Sequence, residues 1–317
     1  MKVAFLIPYY GAFPNYFNLW LHSASNNPNF DFIFFSDIDC SSYAFPSNVQ
    51  VNPIPFDVLK TKIQDKFNFK ICLDDPYKLC DFKPAYGYIF EEYLREYDLW
   101  GFIDIDLILG RIADFIPSET LQEFDIIGCH GHFTLFCNNE HVNNFFMTEP
   151  KSGEVGFDKA FSARHCFHFD ESGLIANASQ YGLRVCDCGS FFDVMPNHYQ
   201  FLLMNGPKFD KCVVHYSNGV LHVYHDDEGN LVSHELLYVH FQKRDMQIAA
   251  GLNCKGDFLA VPNMFVSIRE EITITLIHKY NPTRIYWDWY KKRFQQIRTN
   301  IRNGAIKERL SKLLRKG

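Results

Sequence analysis

The sequence predicts an α/β protein: a mainly parallel sheet, then a smaller antiparallel β portion, then a basic amphipathic helix. Apolar strand-like runs alternate with helical patterns over the first hundred residues, as in βαβ units. An Asn-Gly turn between two alternating runs marks a hairpin near residue 218, and cations interleave apolar residues near the C-terminal end. At 317 residues the chain can bury a substantial core as one large or two smaller domains.

Lys2 to Ile7 reads as a buried parallel strand, which Pro8-Tyr9-Tyr10-Gly11 breaks into a loop at its carboxyl end. Open α/β sheets bind ligands at that edge, so Pro8, Tyr9 and Tyr10 are candidate contacts. A helix follows over Asn15 to Ser25, with Tyr16, Leu19, Trp20 and Ser23 at helical spacing; Phe30 to Phe35 is the second strand and ends at Ser36-Asp37. Asp37 can accept a hydrogen bond from a base or ribose, or cap the next element. Asn48 to Ile54 makes a third strand. Pro84 then stands at a helix start, where its missing N–H costs nothing, and Tyr86, Ile89, Phe90, Tyr93, Leu94 and Tyr97 form an apolar stripe. Lys83 and Tyr86 sit at that amino end as candidate phosphate contacts.

The next strand, Leu99 to Ile103, runs straight into Asp104-Ile105-Asp106. Residues two apart on an extended chain point the same way, so the two carboxylates converge, repel each other, and are relieved by a hard divalent cation. Caps and turns also use Asp. Here the apolar run on both sides and Gly110, where a tight backbone path is wanted, favour a metal site.

Downstream, Arg111 to Phe115 reads as a short helix and Asp125 to Cys129 as a strand reaching His130-Gly131-His132. No further ligands stand at zinc spacing, so these are expected to be loop or acceptor-cleft histidines. Residues 133–200 are mixed, with a helix edge at Ala160 to Arg164 and an acidic point at Asp170-Glu171. Cys212 to Tyr216 and Val220 to His225 form the hairpin, and Leu237 to Arg244 is a last antiparallel strand with His240 and Gln242 on one face and Phe241 and Lys243 on the other. A strand at Ile272 to Leu276 precedes a helix over Tyr286 to Leu314.

The aromatic content, 17% of residues, suits sugar and base stacking as well as an ordinary core. Ten cysteines without a C-x-x-C pair give no disulfide framework or zinc knuckle, and the apolar run stopped by Pro8 is too short for a leader or a spanning helix. A cytoplasmic protein is expected, with no nucleic-acid partner. Ten Lys or Arg between Tyr290 and Gly317, against the single Glu308, stand apart from a net charge of -6. That asymmetry points to an anionic partner, a bilayer on the inner face of the cell membrane.

Four segments together, Ile7-Pro8-Tyr9-Tyr10-Gly11, Lys83-Pro84-Ala85-Tyr86-Gly87, Trp100-Gly101-Phe102-Ile103-Asp104-Ile105-Asp106 and Tyr238-Val239-His240-Phe241-Gln242-Lys243, resemble bacterial GT-A-type glycosyltransferases of capsule and O-antigen clusters. The resemblance spans most of residues 1–250. It implies a GT-A-like, Rossmann-like catalytic domain over 1–270, with a nucleotide-sugar half (1–130) and an acceptor half (131–270), followed by the strand and basic tail (271–317). It also implies that Asp104, Asp106 and His240 hold Mn²⁺ or Mg²⁺ against the diphosphate of a nucleotide-sugar, a UDP-sugar as the first expectation, while the acceptor is a saccharide, free or lipid-linked. Lys83 or Lys243 stabilises the departing phosphates, and Asp170 or Glu171 is the candidate base of an inverting displacement. Two rivals are a D-x-D phosphohydrolase, which Ile108 and the motif's distance from the chain start disfavour, and a non-catalytic membrane-docked scaffold.

Overall fold

In a computed structural model, residues 1–187, 189–194, 201, 211–244, 246–268, 270–281, 294, 295 and 298 are described. Val3–Pro8 forms β1, and both of its faces are covered: Phe5 and Ile7 join the helix α1 (Phe17–Ser25), while Ala4 and Leu6 join the helical turns of residues 79–94. A strand buried on both sides needs apolar residues at successive positions, which is how its run reads. β2 (Phe30–Ser36) pairs parallel with β1, and β3 (Val49–Pro53) parallel with β2. The expected βαβ unit is therefore present. α2 (Phe56–Gln64) was not legible, because only Leu59 and Ile63 of its nine residues are buried.

β4 (Leu99–Ile103) pairs parallel with β1 on its other side. The chain then enters β5 (Leu107–Leu109), passes the short helices Ile112–Phe115 and Ser118–Glu123, and returns as β6 (Ile126–His130) and β7 (Phe133–Cys137), with the two-residue β8 (Val185–Cys186) far downstream. β4, β7 and β6 pair antiparallel, so the sheet runs β3-β2-β1-β4-β7-β6-β8 and takes strands from both sides of residue 130. The molecule is a mixed α/β protein.

The single helix expected after Pro84 is broken into turns at Lys83–Ala85, Tyr86–Ile89 and Glu91–Tyr93. Its backbone leaves helical dihedrals at Ala85 (φ -96°, ψ 1°) and Phe90 (φ -109°, ψ 24°). Side-chain packing wins over propensity here. Phe90 stacks on Phe35 with ring centroids 4.4 Å apart, and Tyr86, Ile89 and Leu94 all reach the same core.

Two further sheets complete the fold. β9 (Phe191–Asp193), β10 (Cys212–Ser217), β11 (Val220–Asp227), β12 (Asn230–Leu236), β13 (Tyr238–His240), β14 (Gln247–Ile248), β15 (Phe258–Val261) and β16 (Met264–Ser267) supply them. The larger, β12-β11-β10-β15-β16-β14, contains the expected hairpin, with Asn218 (φ 51°) and Gly219 (φ 84°) in the left-handed region that its turn requires. The smaller is β5-β13-β9. Gly110 ends β5 where a Cβ would lie 2.4 Å from the carbonyl oxygen of Leu236, so the close backbone approach excludes any side chain.

Two expected strands are corrected. The run Leu237 to Arg244 is strand only to His240; beyond it Gln242 and Lys243 turn into the left-handed region. Ile272 to Leu276 is not a strand, because the Thr273 side-chain oxygen accepts the Leu276 N–H (3.2 Å) and starts a helix, Ile274–Tyr280. That helix buries Leu276 and Ile277 against Val213 and Leu259. The expected tail helix, Tyr286 to Leu314, lies outside the described residues apart from 294, 295 and 298. No helix among the described residues is long and apolar enough to cross a membrane.

Candidate metal centre

The D-x-D segment is a bend rather than the expected continuous strand: β4 ends at Ile103, and Asp104-Ile105-Asp106 carries the chain from the first sheet into the third. Ile105 is buried and anchors the bend; the Asp104 N–H donates to the His132 carbonyl (3.0 Å) and the Asp106 carbonyl accepts from the Phe241 N–H (2.8 Å). β5 and β13 pair so that Leu107 faces His240, which sets the imidazole beside Asp106. One donor atom from each of Asp104, Asp106 and His240 lies within 4.8 Å of the other two. Two hard carboxylate oxygens and one imidazole nitrogen suit Mn²⁺ or Mg²⁺.

Surrounding residues orient this set. His240 Nδ1 donates to Asp193 Oδ1 (2.9 Å), leaving Nε2 turned toward Asp106 Oδ1 (3.4 Å), and Gln242 Nε2 donates to the same Asp193 oxygen (2.7 Å). Such a carboxylate behind a ligating histidine fixes which nitrogen faces a metal. The Lys243 N–H donates to Asp106 Oδ2 (2.6 Å). Burial opposes charge on Asp106, but the hydrogen bonds from His240 and Lys243 hold its carboxyl down at about 2. Burial likewise opposes charge on His240, but Asp106 and Asp193 push its imidazole up to about 10. In the ion-free protein a proton thus occupies a position that a divalent cation must take over. His132 stacks on His240 with ring centroids 4.2 Å apart and shares a 2.9 Å contact with the Tyr238 hydroxyl. Burial first, then the neighbouring His240 and His130, drop its pKa to about 2, so it stays neutral and backs the cluster instead of lining an acceptor cleft.

A further carboxylate, Asp170, stands close by. Lys83 Nζ donates to Asp104 Oδ1 (2.7 Å) and to the Gly131 carbonyl, and pairs with Asp170 Oδ2 (3.3 Å). Burial alone would lower the ammonium's pKa, yet Asp104 and Asp170 hold it above its ordinary value. Asp170 is 4% exposed, and among the described residues its Oδ1 has no hydrogen-bond partner. Burial, then the nearby Asp104 and Glu171 against the opposing Lys83, raises its carboxyl to about 7. Glu171 is exposed and close to His168 (3.6 Å), so only Asp170 of the acidic pair meets Lys83. Gly131 separates the two carboxylates from the cluster: a Cβ there would lie 2.7 Å from Glu171 Oε2 and 3.1 Å from Asp170 Oδ2.

The loop carrying Asp170 is tied down by a buried pair. Lys78 Nζ donates to Asp81 Oδ2 and to the carbonyls of Ala160 and His165 (2.7 Å each), while the Asp81 carboxylate accepts the N–H groups of Phe167 and Phe169. Neither Asp81 nor Asp193 was found by sequence reasoning. Asp193 closes β9, which carries no motif, and reaches His240 only through the parallel pairing of β9 with β13.

The other expected contacts divide. Pro8 ends β1 beside β4, and the Tyr9 hydroxyl, which donates to the Ala12 carbonyl (3.0 Å), is raised in pKa by burial and then by Asp106 and Asp104. Tyr9 is thus within electrostatic reach of the cluster, its ring stacked on Phe13 with centroids 5.6 Å apart. Tyr10 lies elsewhere: its ring meets Phe56 edge-on in the opposite core. Tyr86 is also core, with its hydroxyl donating to the Leu79 carbonyl (3.2 Å). Asp37, at the end of β2, accepts the Phe56 N–H at the start of α2 (3.4 Å), the capping alternative. His130 contacts Asp187 (3.3 Å), away from the ligand set.

The profile of a family of unknown function, DUF6625, matches residues 5–269, and the chain belongs to that family. No curated protein matches the chain.

Proposed function

We propose that this member of the DUF6625 family is a metal-dependent, inverting glycosyltransferase of GT-A-like architecture, moving a hexose from a nucleotide-sugar, UDP-linked as the first test, to a saccharide acceptor in bacterial surface-polysaccharide synthesis. The observation that carries this reading is the Asp104–Asp106–His240 donor set at the end of a parallel strand, with cations on two sides and a buried carboxyl of raised pKa beside it. When bound there, Mn²⁺ or Mg²⁺ supplies charge stabilisation for a departing diphosphate. Lys83 holds Asp104 in place, and Lys243, exposed at the rim, meets phosphate oxygens. Asp170 takes the proton of the acceptor hydroxyl, a task to which a pKa near neutrality is suited. Hydrolysis by an aspartyl nucleophile is less well supported, since Lys83 holds Asp104 while His240 and Lys243 hold Asp106. The basic residues between 290 and 317 give the protein a hold on an anionic bilayer, where a lipid-linked acceptor would sit.

The test is a screen of nucleotide-sugars for Mn²⁺-dependent hydrolysis, alongside thermal stabilisation by UDP or GDP with Mn²⁺. Stabilisation by phosphate alone, or none by any nucleotide, overturns the reading.

A further inference from the structure

Gln242 and Lys243 are consecutive non-glycine residues in the left-handed region, at φ 49° and 58°. Backbone strain of this kind persists only where surrounding contacts hold it. Here the strained pair meets three groups: the Gln242 side chain reaches Asp193, the Lys243 N–H reaches Asp106, and the Lys243 side chain crosses to Tyr77 with its Nζ 4.0 Å from the ring centroid. Among the described residues that ammonium forms no ion pair, although Asp106 is within its electrostatic reach. Tyr77 is 53% exposed, on a short turn (Pro76–Lys78) whose cap, Asp75, accepts the Tyr77 N–H (2.8 Å), and the adjacent Lys78 is buried in the pair that anchors the Asp170 loop. The backbone beneath the ring is therefore anchored at Asp75 and Lys78, and the exposed Lys243 ammonium reaches across to it.

We propose that Tyr77 stores the Lys243 ammonium in the free protein and yields it to a diphosphate arriving at the Asp104–Asp106–His240 cluster, which makes Tyr77 a positioning residue acting through Lys243. The inference rests on the reading of the cluster as a diphosphate site. An ammonium on an exposed ring is held by about 0.5–1 kcal/mol, against a stronger charge-assisted bond to phosphate, so the exchange runs toward the anion. Storage also keeps the lysine off Asp106, leaving that carboxylate to a divalent cation.

Calorimetric titration of the full chain with Mn²⁺ and inorganic pyrophosphate tests this, using Tyr77→Phe, Tyr77→Leu, Lys243→Ala and the double variant Tyr77→Leu/Lys243→Ala. The expected results are a loss of tenfold or more in Lys243→Ala, affinity within twofold of wild type in Tyr77→Phe, and binding about two- to fivefold tighter in Tyr77→Leu, because a competitor for the ammonium is gone. In the Lys243→Ala background, Tyr77→Leu changes nothing further. A Tyr77→Leu effect of the same size with and without Lys243, unchanged affinity in Tyr77→Leu, or weaker binding there overturns the storage role while leaving the diphosphate site standing. Failure of the wild type to bind Mn²⁺ and pyrophosphate overturns both.

Discussion

Two buried ionic groups in this protein are built to opposite rules. In the Lys78–Asp81 pair, 3% and 0% exposed, three ammonium protons find three acceptors and the carboxylate collects two backbone N–H groups besides. Nothing is left over for a ligand. Around Asp104, Asp106, His240 and Asp170 the balance is different: one carboxylate oxygen is buried with no partner among the described residues, and three donor atoms that could hold a metal ion converge within 4.8 Å of one another. Buried charge that is fully paired holds the chain in place, whereas buried charge with spare capacity is held ready for something that arrives.

This contrast can be broken most severely at the first group. Lys78→Met leaves Asp81 buried without its cation, so urea denaturation should show a loss of about 3–5 kcal/mol. A loss under 1 kcal/mol would mean that the pair is dispensable. Next in size is Asp106→Asn, expected to lower nucleotide-sugar turnover at least about a hundredfold with a stability loss well below that of Lys78→Met. Asp104→Asn acts in the same direction. Turnover at the wild-type level in both variants rules out the metal assignment.

His240 sharpens the comparison through pH. Its raised pKa means that a proton and a metal compete for Nε2, so Mn²⁺ affinity should climb with pH, by up to about tenfold per unit, below about 10. His240→Ala should bind more weakly at pH 8 and lose most of that slope; a slope equal to wild type between pH 6 and 8 would assign His240 a purely structural part.

The smallest effect on stability belongs to Asp170. A carboxyl whose pKa is raised on folding to about 7 costs stability as pH rises from the unfolded value, near 4, and the cost levels off above 7. Asp170→Asn should therefore raise the melting temperature at pH 8 by about 2–4 °C and by little at pH 4, while abolishing sugar transfer. If the protein transfers sugar as proposed, wild-type activity should rise through pH 7 for the same reason. Equal stabilisation at both pH values would show that the carboxyl is not protonated on folding.

Much of this was legible along the chain. The βαβ start, the Asn-Gly hairpin and the carboxylate pair at the end of β4 are local features, because alternation, turn chemistry and charge repulsion act over a few residues. His240 and Lys83 were legible only with the help of the resemblance and of a helix-start pattern. By contrast, Thr273 turned a β-branched run into a helix with one side-chain bond, and packed rings cut the helix after Pro84 into three turns.

The sequence by itself determined that two carboxylates would stand one residue apart at a strand end and need compensation; that they converge is owed to the bend the chain makes there. Only the tertiary structure decided what compensates them. The Lys243 N–H comes from 137 residues away and Asp193 stands 47 residues before His240, joined through a three-strand sheet that no local pattern specifies. Pairing across such distances is set by which strands find each other as the core closes, and the electrostatics of Asp106, His240 and Asp170 follow from that burial.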